Sequence, residues 1–125
     1  MTLTLQQAYD KAKNGVIAQG ALANTVGRGC MYLIPDTDLK CGVGQLLADD
    51  DMRLRWDDKA WTACYIHDEA RDLPDQLLKD MNTSGIIDLD KRFLHELQNT
   101  HDDASGLSDF LSWMHQLAFE WDLTP

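Results

Sequence analysis

The chain has 125 residues, of which 44% are hydrophobic and 26% are charged, as is typical of a single globular domain. Its 11 basic residues stand against 21 acidic ones, and the net charge of −10 argues against direct nucleic-acid binding, which requires clustered Lys and Arg. No apolar run approaches the roughly 18 residues of a membrane span. The polar opening residues do not suggest a signal peptide, and three cysteines suit reduced thiols. We therefore expect one domain, residues 1–125, in the cytoplasm, without a membrane partner.

The first predicted element is a helix that begins at Thr4. Thr4 and Gln7 have the spacing of a capping box, in which each residue's side chain bonds the other's backbone N–H. Apolar residues then recur at helical intervals as far as Val16. Gly20 is placed to end this helix.

A β-hairpin is predicted next. Residues 30–34 are rich in apolar and aromatic side chains, which favours a strand. The Pro-Asp-Thr-Asp sequence that follows is typical of a turn, so residues 39–43 are expected to return as the second strand. Residues 44–48 are expected to form a short helical turn.

Helices dominate the rest of the chain. The sequence leaves the secondary structure of residues 49–58 undecided. A short helix is predicted around Trp61, and another after Pro74. Asp88 is the expected cap of a stronger helix, and the last helix has an apolar stripe that runs from Leu107 to Trp121. The predicted fold class is α+β: a mostly helical single domain with a small β-hairpin or antiparallel sheet packed on the helices.

The acidic residues are unevenly distributed. Residues 1–47 hold three acids and four bases, a net charge of +1, whereas residues 48–125 hold eighteen acids and seven bases, a net charge of −11. Such an acidic surface suits a basic protein partner, although solubility alone also accounts for it. Trp56, between Arg55 and Asp57, is predicted to be partly exposed and to contribute to binding. The candidate protein-binding residues are Asp49, Asp50, Asp51, Trp56, Asp57, Asp58, Asp102, Asp103 and Asp109.

The cysteines allow a metal site as an alternative. Cys64 and His67 have the spacing of zinc ligands, and Cys30 with Cys41 would complete a Cys₃His set. The ten residues between Cys30 and Cys41 and their apolar neighbours favour simple packing instead. Cys41 also lies near glycines, where a nucleophile can occur, but no histidine is close in sequence.

Two motifs resemble a group of small uncharacterised proteins from bacteriophages and prophage-bearing bacteria. The first is C-M-Y-x-x-P-D-x-x-x-K-C-x-V-G-x-L-x-x-D, residues 30–49, and the second is F-L-x-x-L-Q-x-x-H-D, residues 93–102. The middle of the chain departs from the group, and Gly42 stands where Ala is expected. The resemblance implies an origin in a mobile element and a role in phage–host conflict. It also implies that Cys30 and Cys41 are framework positions, that Gly44 allows close packing, and that Leu94, Leu97 and Gln98 pack on this unit.

The sequence thus predicts a binding protein rather than an enzyme, with no cofactor. The leading hypothesis is a small acidic phage-type accessory protein that inhibits or modulates a host protein with a basic surface, for instance an anti-CRISPR-like counter-defence inhibitor. One alternative is the immunity protein of a basic nuclease toxin. Others are a zinc-binding or enzymatic domain that uses Cys30, Cys41, Cys64 and His67, and a virion component. The apolar stripe of the last helix would also suit a homodimer.

Overall fold

The computed structural model describes residues 2–25, 29–68 and 72–125, and in the two short strands it describes the backbone alone. The elements in chain order are α1 Leu5–Gln19, β1 Asn24–Thr25, β2 Gly29–Cys30, a 3₁₀ turn Gly44–Leu46, α2 Asp50–Lys59, α3 Ala63–His67, α4 Asp75–Thr83, α5 Lys91–Asp102 and α6 Leu107–Glu120.

The architecture is all-helical, so the predicted α+β class is wrong. The two strands pair antiparallel over two residues each, which is too short to form a layer of the fold. In place of the predicted hairpin, residues 31–43 form an irregular loop. Only two backbone hydrogen bonds join its arms within the described residues, from Ile34 N to Leu39 O at 2.9 Å and from Cys41 N to Met31 O at 3.2 Å.

Side chains from three helices take the place of the missing ladder. The amides of Tyr32 and Leu33 donate to Asp57 of α2, and the amide of Val43 donates to Gln98 of α5. The amide of Lys40 donates to Gln19 of α1. Because these backbone groups have partners, the two arms of the loop can pack inward without pairing as strands, while residues 35–38 at its tip are exposed.

The helix α1 begins and ends as the sequence predicts. Thr4 Oγ1 accepts from Gln7 N, and Gln7 Oε1 accepts from Thr4 N, which completes the capping box. Gly20 ends the helix in the left-handed conformation, with φ of 77°. Tyr9 lies on its buried face and donates to Met114 O of α6 at 2.9 Å, so the first and last helices are held together.

The helices α5 and α6 form an antiparallel pair at the centre of the core. His101 packs against Phe110 where the helices are joined, and Phe93 packs against Trp121 at the opposite end. The predicted stripe of α6 is buried at Phe110, Met114 and Leu117. The cap of α5 is Asp90 rather than the predicted Asp88, since Asp90 accepts from Arg92 N.

Candidate functional site

Trp56 is the clearest error among the predicted binding residues. Its side chain is 0% exposed, and its Nε1 donates to Asp80 Oδ2 of α4 at 2.9 Å. Tyr32 and Trp61 contact it edge-on, with ring centroids 5.4 Å and 6.4 Å away. Trp56 is therefore a core residue and cannot touch a partner protein.

Asp80 joins Trp56 to a charged residue at the surface. Arg55 donates to both carboxylate oxygens of Asp80, at 2.9 Å and 3.0 Å, and Gln76 donates at 2.9 Å. Burial alone would raise the pKa of Asp80, but the hydrogen bonds from Arg55, Gln76 and Trp56, together with the positive charge of Arg55, lower it. This carboxylate is ionised and fully engaged inside the fold.

Two of the three aspartates at the start of α2 also serve the structure. Asp49 is the N-cap of α2 and accepts from Met52 N at 2.9 Å. Asp50 pairs with Arg53 at 2.6 Å, and the buried Arg53 donates to the carbonyls of Gly44 and Leu47. Asp51 is exposed, with no hydrogen bond or ion pair to any described residue.

Asp57 and Asp58 are neighbours with different surroundings. Asp57 is partly buried and accepts from Tyr32 N at 2.9 Å and from Leu33 N at 3.1 Å. Burial raises the pKa of Asp57, although these two N–H groups oppose the rise. Asp58 is exposed at the end of α2.

The structure brings Asp57 and Asp102 to one pocket of about 320 Å³, which α2, α3 and α5 surround. The Asp102 carboxylate accepts from Gln98 Nε2 at 2.7 Å, and Asp57 is held by the two amides of the loop. Both carboxylates thus have partners within the protein, which leaves the pocket little capacity to bind a ligand through them.

The zinc ligands of the alternative hypothesis lie in unlike environments. Cys41 is fully buried, Cys64 is exposed, and the side chain of Cys30 lies outside the described residues. His67 packs against His95 and lines one surface pocket together with Cys64, whereas Cys41 does not line that pocket. Within the described part of the chain, no three His, Cys, Asp or Glu side chains are grouped to hold a metal ion.

Cys41 is a packing residue, as its sequence context suggests. Burial raises the pKa of its thiol far above the ordinary range, despite hydrogen bonds with Gly44 N and Gln98 Oε1. A thiol kept protonated in this way is a poor nucleophile and a poor metal ligand.

The expected packing of Gln98 on the segment that contains Cys41 is confirmed, although this segment is a loop and not a hairpin. Gln98 Oε1 accepts from Cys41 Sγ at 3.2 Å and from Val43 N at 3.3 Å. A side chain on Gly44 would collide with the carbonyl oxygen of Tyr32, so only glycine allows this close approach. A Cβ added to Gly42 would lie at an ordinary contact distance from the Leu97 carbonyl oxygen of α5, so an alanine would fit at this position.

The remaining predicted residues lie near the junction of α5 and α6. Asp109 accepts from Ser105 N at 2.9 Å and so helps to begin α6. Asp103 ends α5 and is exposed, and its carboxylate has no hydrogen bond or ion pair to any described residue. It is the member of the C-terminal set that is most available to a partner.

A groove beside Asp103 contains residues that the sequence analysis missed. It is about 170 Å³ and lies between α5 and α6, where its lining includes Glu96, Asp103, Trp113 and Glu120. Trp113 is 50% exposed, in contrast to Trp56. Two features of the sequence indicate that Trp113 is exposed in an acidic region: it lies off the apolar stripe of α6, and this part of the chain has no Lys or Arg.

No protein-family model, no curated protein and no solved structure matches this chain. Among the described residues, no helix is both long and apolar enough to cross a bilayer.

Proposed function

We propose that this protein is a small acidic binding module of phage type, which inhibits or modulates a host protein by occupying a basic surface of that protein. An anti-CRISPR-like counter-defence inhibitor, which acts on a nucleic-acid-guided nuclease in the bacterial cytoplasm, is the most concrete form of this function. The module contributes binding energy and charge, and no reaction of its own.

The observation that carries the proposal is the exposed acidic surface of α5 and α6. Asp103 has no partner among the described residues, and Glu120 accepts a single hydrogen bond, from Gln116 at 3.3 Å. No Lys or Arg follows Arg92 in the sequence. Carboxylates that are neutralised neither by neighbours nor by the fold attract a basic surface, and they speed its association at low salt.

Two further features favour binding over catalysis. The Cys41 thiol is buried and its pKa is raised, so it is not an activated nucleophile. In the pocket of Asp57 and Asp102, both carboxylates are engaged by N–H groups of the protein. Neither group is arranged as a general base that faces a substrate.

A pull-down from host lysate across a salt series, read by mass spectrometry, tests the proposal. The tagged protein is expected to retain one dominant basic partner that is released as salt rises, because salt screens exposed charges. Charge reversal should use Asp51→Lys with Asp58→Lys on α2, and Asp103→Lys with Glu120→Lys on α5 and α6. Asp49 and Asp50 are unsuitable, since they cap and pair within α2.

The matched control is Asp10→Lys with Asp38→Lys, which changes the charge equally in the N-terminal part of the chain. Circular dichroism and thermal unfolding should show that all three double variants are folded. Loss of the partner in the acidic-surface variants but not in the control supports the proposal. Retention of the partner after reversal of both acidic regions rules out the electrostatic model.

A further inference from the structure

The groove between α5 and α6 offers two kinds of contact at once. Glu96 and Asp103 line it from the α5 side, and Trp113, Leu117 and Glu120 line it from the α6 side. On each side the outermost of these residues are seven positions apart in the chain, which corresponds to roughly 10 Å along a helix. The groove therefore presents an indole ring and a leucine side chain together with three carboxylates.

The groove has no positive charge of its own. None of the residues that line it is Lys, Arg or His. The nearest cation on these helices is Arg92, whose Nε lies 3.7 Å from Glu96 Oε2. Arg92 balances part of the charge at the Glu96 end, whereas Asp103 at the other end has no ion pair within the described residues. A cationic occupant is the complement of this surface.

The molecule already contains the contact that such an occupant would make. The Arg92 guanidinium lies over the Trp121 ring, 4.7 Å from its centroid, while its Nε faces Glu96. An arginine between an indole face and a carboxylate is a stable arrangement, because the cation interacts with both. Trp113 lines the groove together with Glu96, Asp103 and Glu120, and no arginine lines it.

We propose that the α5–α6 groove binds an arginine-bearing segment of the partner protein, with one guanidinium stacked on Trp113 and paired with Asp103 or Glu120. This inference rests on the proposed function and specifies the chemistry of the contact. Arginine is preferred to lysine, since a planar guanidinium stacks on an indole and pairs with a carboxylate in a fixed geometry.

The larger pocket at Asp57 and Asp102 is a weaker candidate for the same role. Its carboxylates accept hydrogen bonds from Tyr32 N, Leu33 N and Gln98 Nε2, so an incoming arginine would have to displace these contacts. The α5–α6 groove requires no such displacement at Asp103.

The test is an NMR titration of the ¹⁵N-labelled full chain with a hexa-arginine peptide, followed at the Trp113 indole N–H and at backbone amides. A hexa-lysine peptide of equal charge is the comparison ligand. We expect the largest shifts at Trp113, Asp103 and Glu120, and tighter binding of hexa-arginine. Trp113→Ala should weaken hexa-arginine binding about fivefold and leave hexa-lysine binding nearly unchanged. Trp113→Phe should give an intermediate loss.

The charge contribution is tested by Asp103→Asn with Glu120→Gln, against Asp10→Asn with Asp38→Asn as the matched control. We expect the groove variant to weaken binding of both peptides more than the control does.

Shifts spread evenly over all acidic segments, or unchanged hexa-arginine binding by Trp113→Ala, would overturn the groove proposal. The proposed function would then still stand if the pull-down recovers a salt-sensitive basic partner. If the pull-down recovers no partner but the chemical shifts are local to Trp113, the proposed function is contradicted and the arginine preference of the groove is not.

Discussion

The α2 segment and the α5–α6 pair contain the same number of acidic side chains, but they leave different numbers of them free. Residues 49–58 and residues 96–120 hold five each. In the α2 segment, Asp49 caps the helix, Asp50 pairs with Arg53, and Asp57 holds a loop. Asp51 and Asp58 of that segment are exposed and have no side-chain partner among the described residues. On α5 and α6, Asp103 is the one acidic residue whose carboxylate has no partner among the described residues, since Glu96, Asp102, Asp109 and Glu120 all accept hydrogen bonds. Net charge therefore does not reveal which carboxylates a partner can reach, because a carboxylate that serves the fold is already occupied.

The largest expected effect is the loss of stability in Asp80→Ala. Removal of this buried carboxylate leaves Trp56 Nε1 and Arg55 without their acceptor, which should cost about 3 kcal/mol. Arg55 is 33% exposed, so water compensates part of its loss and the buried indole N–H contributes more. Urea unfolding measures the change. The control Asp75→Ala removes an exposed carboxylate of the same helix and should cost less than about 1 kcal/mol.

The contribution of Asp80 should depend on pH. Its pKa is lowered in the folded protein, so its stabilising contribution is complete above the ordinary aspartate pKa of about 3.9. As pH falls below that value, the unfolded chain binds a proton first and the contribution is lost. The difference in unfolding free energy between wild type and Asp80→Asn should therefore narrow between about pH 5 and pH 2. A difference that stays constant over this range would contradict the ionised network.

Asp57→Ala and Asp58→Ala compare two neighbours within α2. Loss of the Asp57 carboxylate leaves the amides of Tyr32 and Leu33 without their acceptor, and we expect a cost of about 2 kcal/mol. Asp58 is exposed, and its substitution should change stability by less than about 0.5 kcal/mol. Thermal unfolding of both variants checks this. Equal effects would show that the contacts of Asp57 do not matter to stability.

Asp49→Ala and Asp51→Ala make the same comparison at the start of α2. Asp49 accepts from Met52 N as the N-cap, so its loss should cost about 1 kcal/mol. Asp51 interacts with the helix only through its charge in the first turn, which is worth about 0.5 kcal/mol. Urea unfolding at high salt sharpens the difference, since salt screens the charge effect and leaves the capping hydrogen bond.

The smallest expected effect on stability belongs to Asp103→Asn, at less than about 0.5 kcal/mol, because the side chain is exposed and unpaired among the described residues. The same substitution is expected to weaken binding of a basic partner, as measured by salt-dependent titration. If Asp103→Asn destabilises the protein as much as Asp57→Ala does, Asp103 is a structural carboxylate and the comparison between the two regions is wrong.

The elements that the sequence predicted well are those specified by neighbours in the chain. The capping box of Thr4 and Gln7, the terminating Gly20 and the apolar stripe of α6 all operate within a few residues. The short helical turn at Gly44 was also predicted, and the resemblance of two motifs implied that Gln98 packs on the segment that contains Cys41. Trp113, by contrast, is not among the predicted binding residues.

Local patterns in the sequence thus specified the helical periods, both ends of α1 and an acidic balance concentrated after residue 48. Only the tertiary structure decided whether residues 31–43 would pair as strands, since Asp57, Gln19 and Gln98 reach their backbone amides from distant helices. It also decided that Trp56 is buried and Trp113 exposed. The physical reason is the same in each case: the partner that satisfies a polar group or covers an aromatic ring lies far away in the chain, where no local pattern records it.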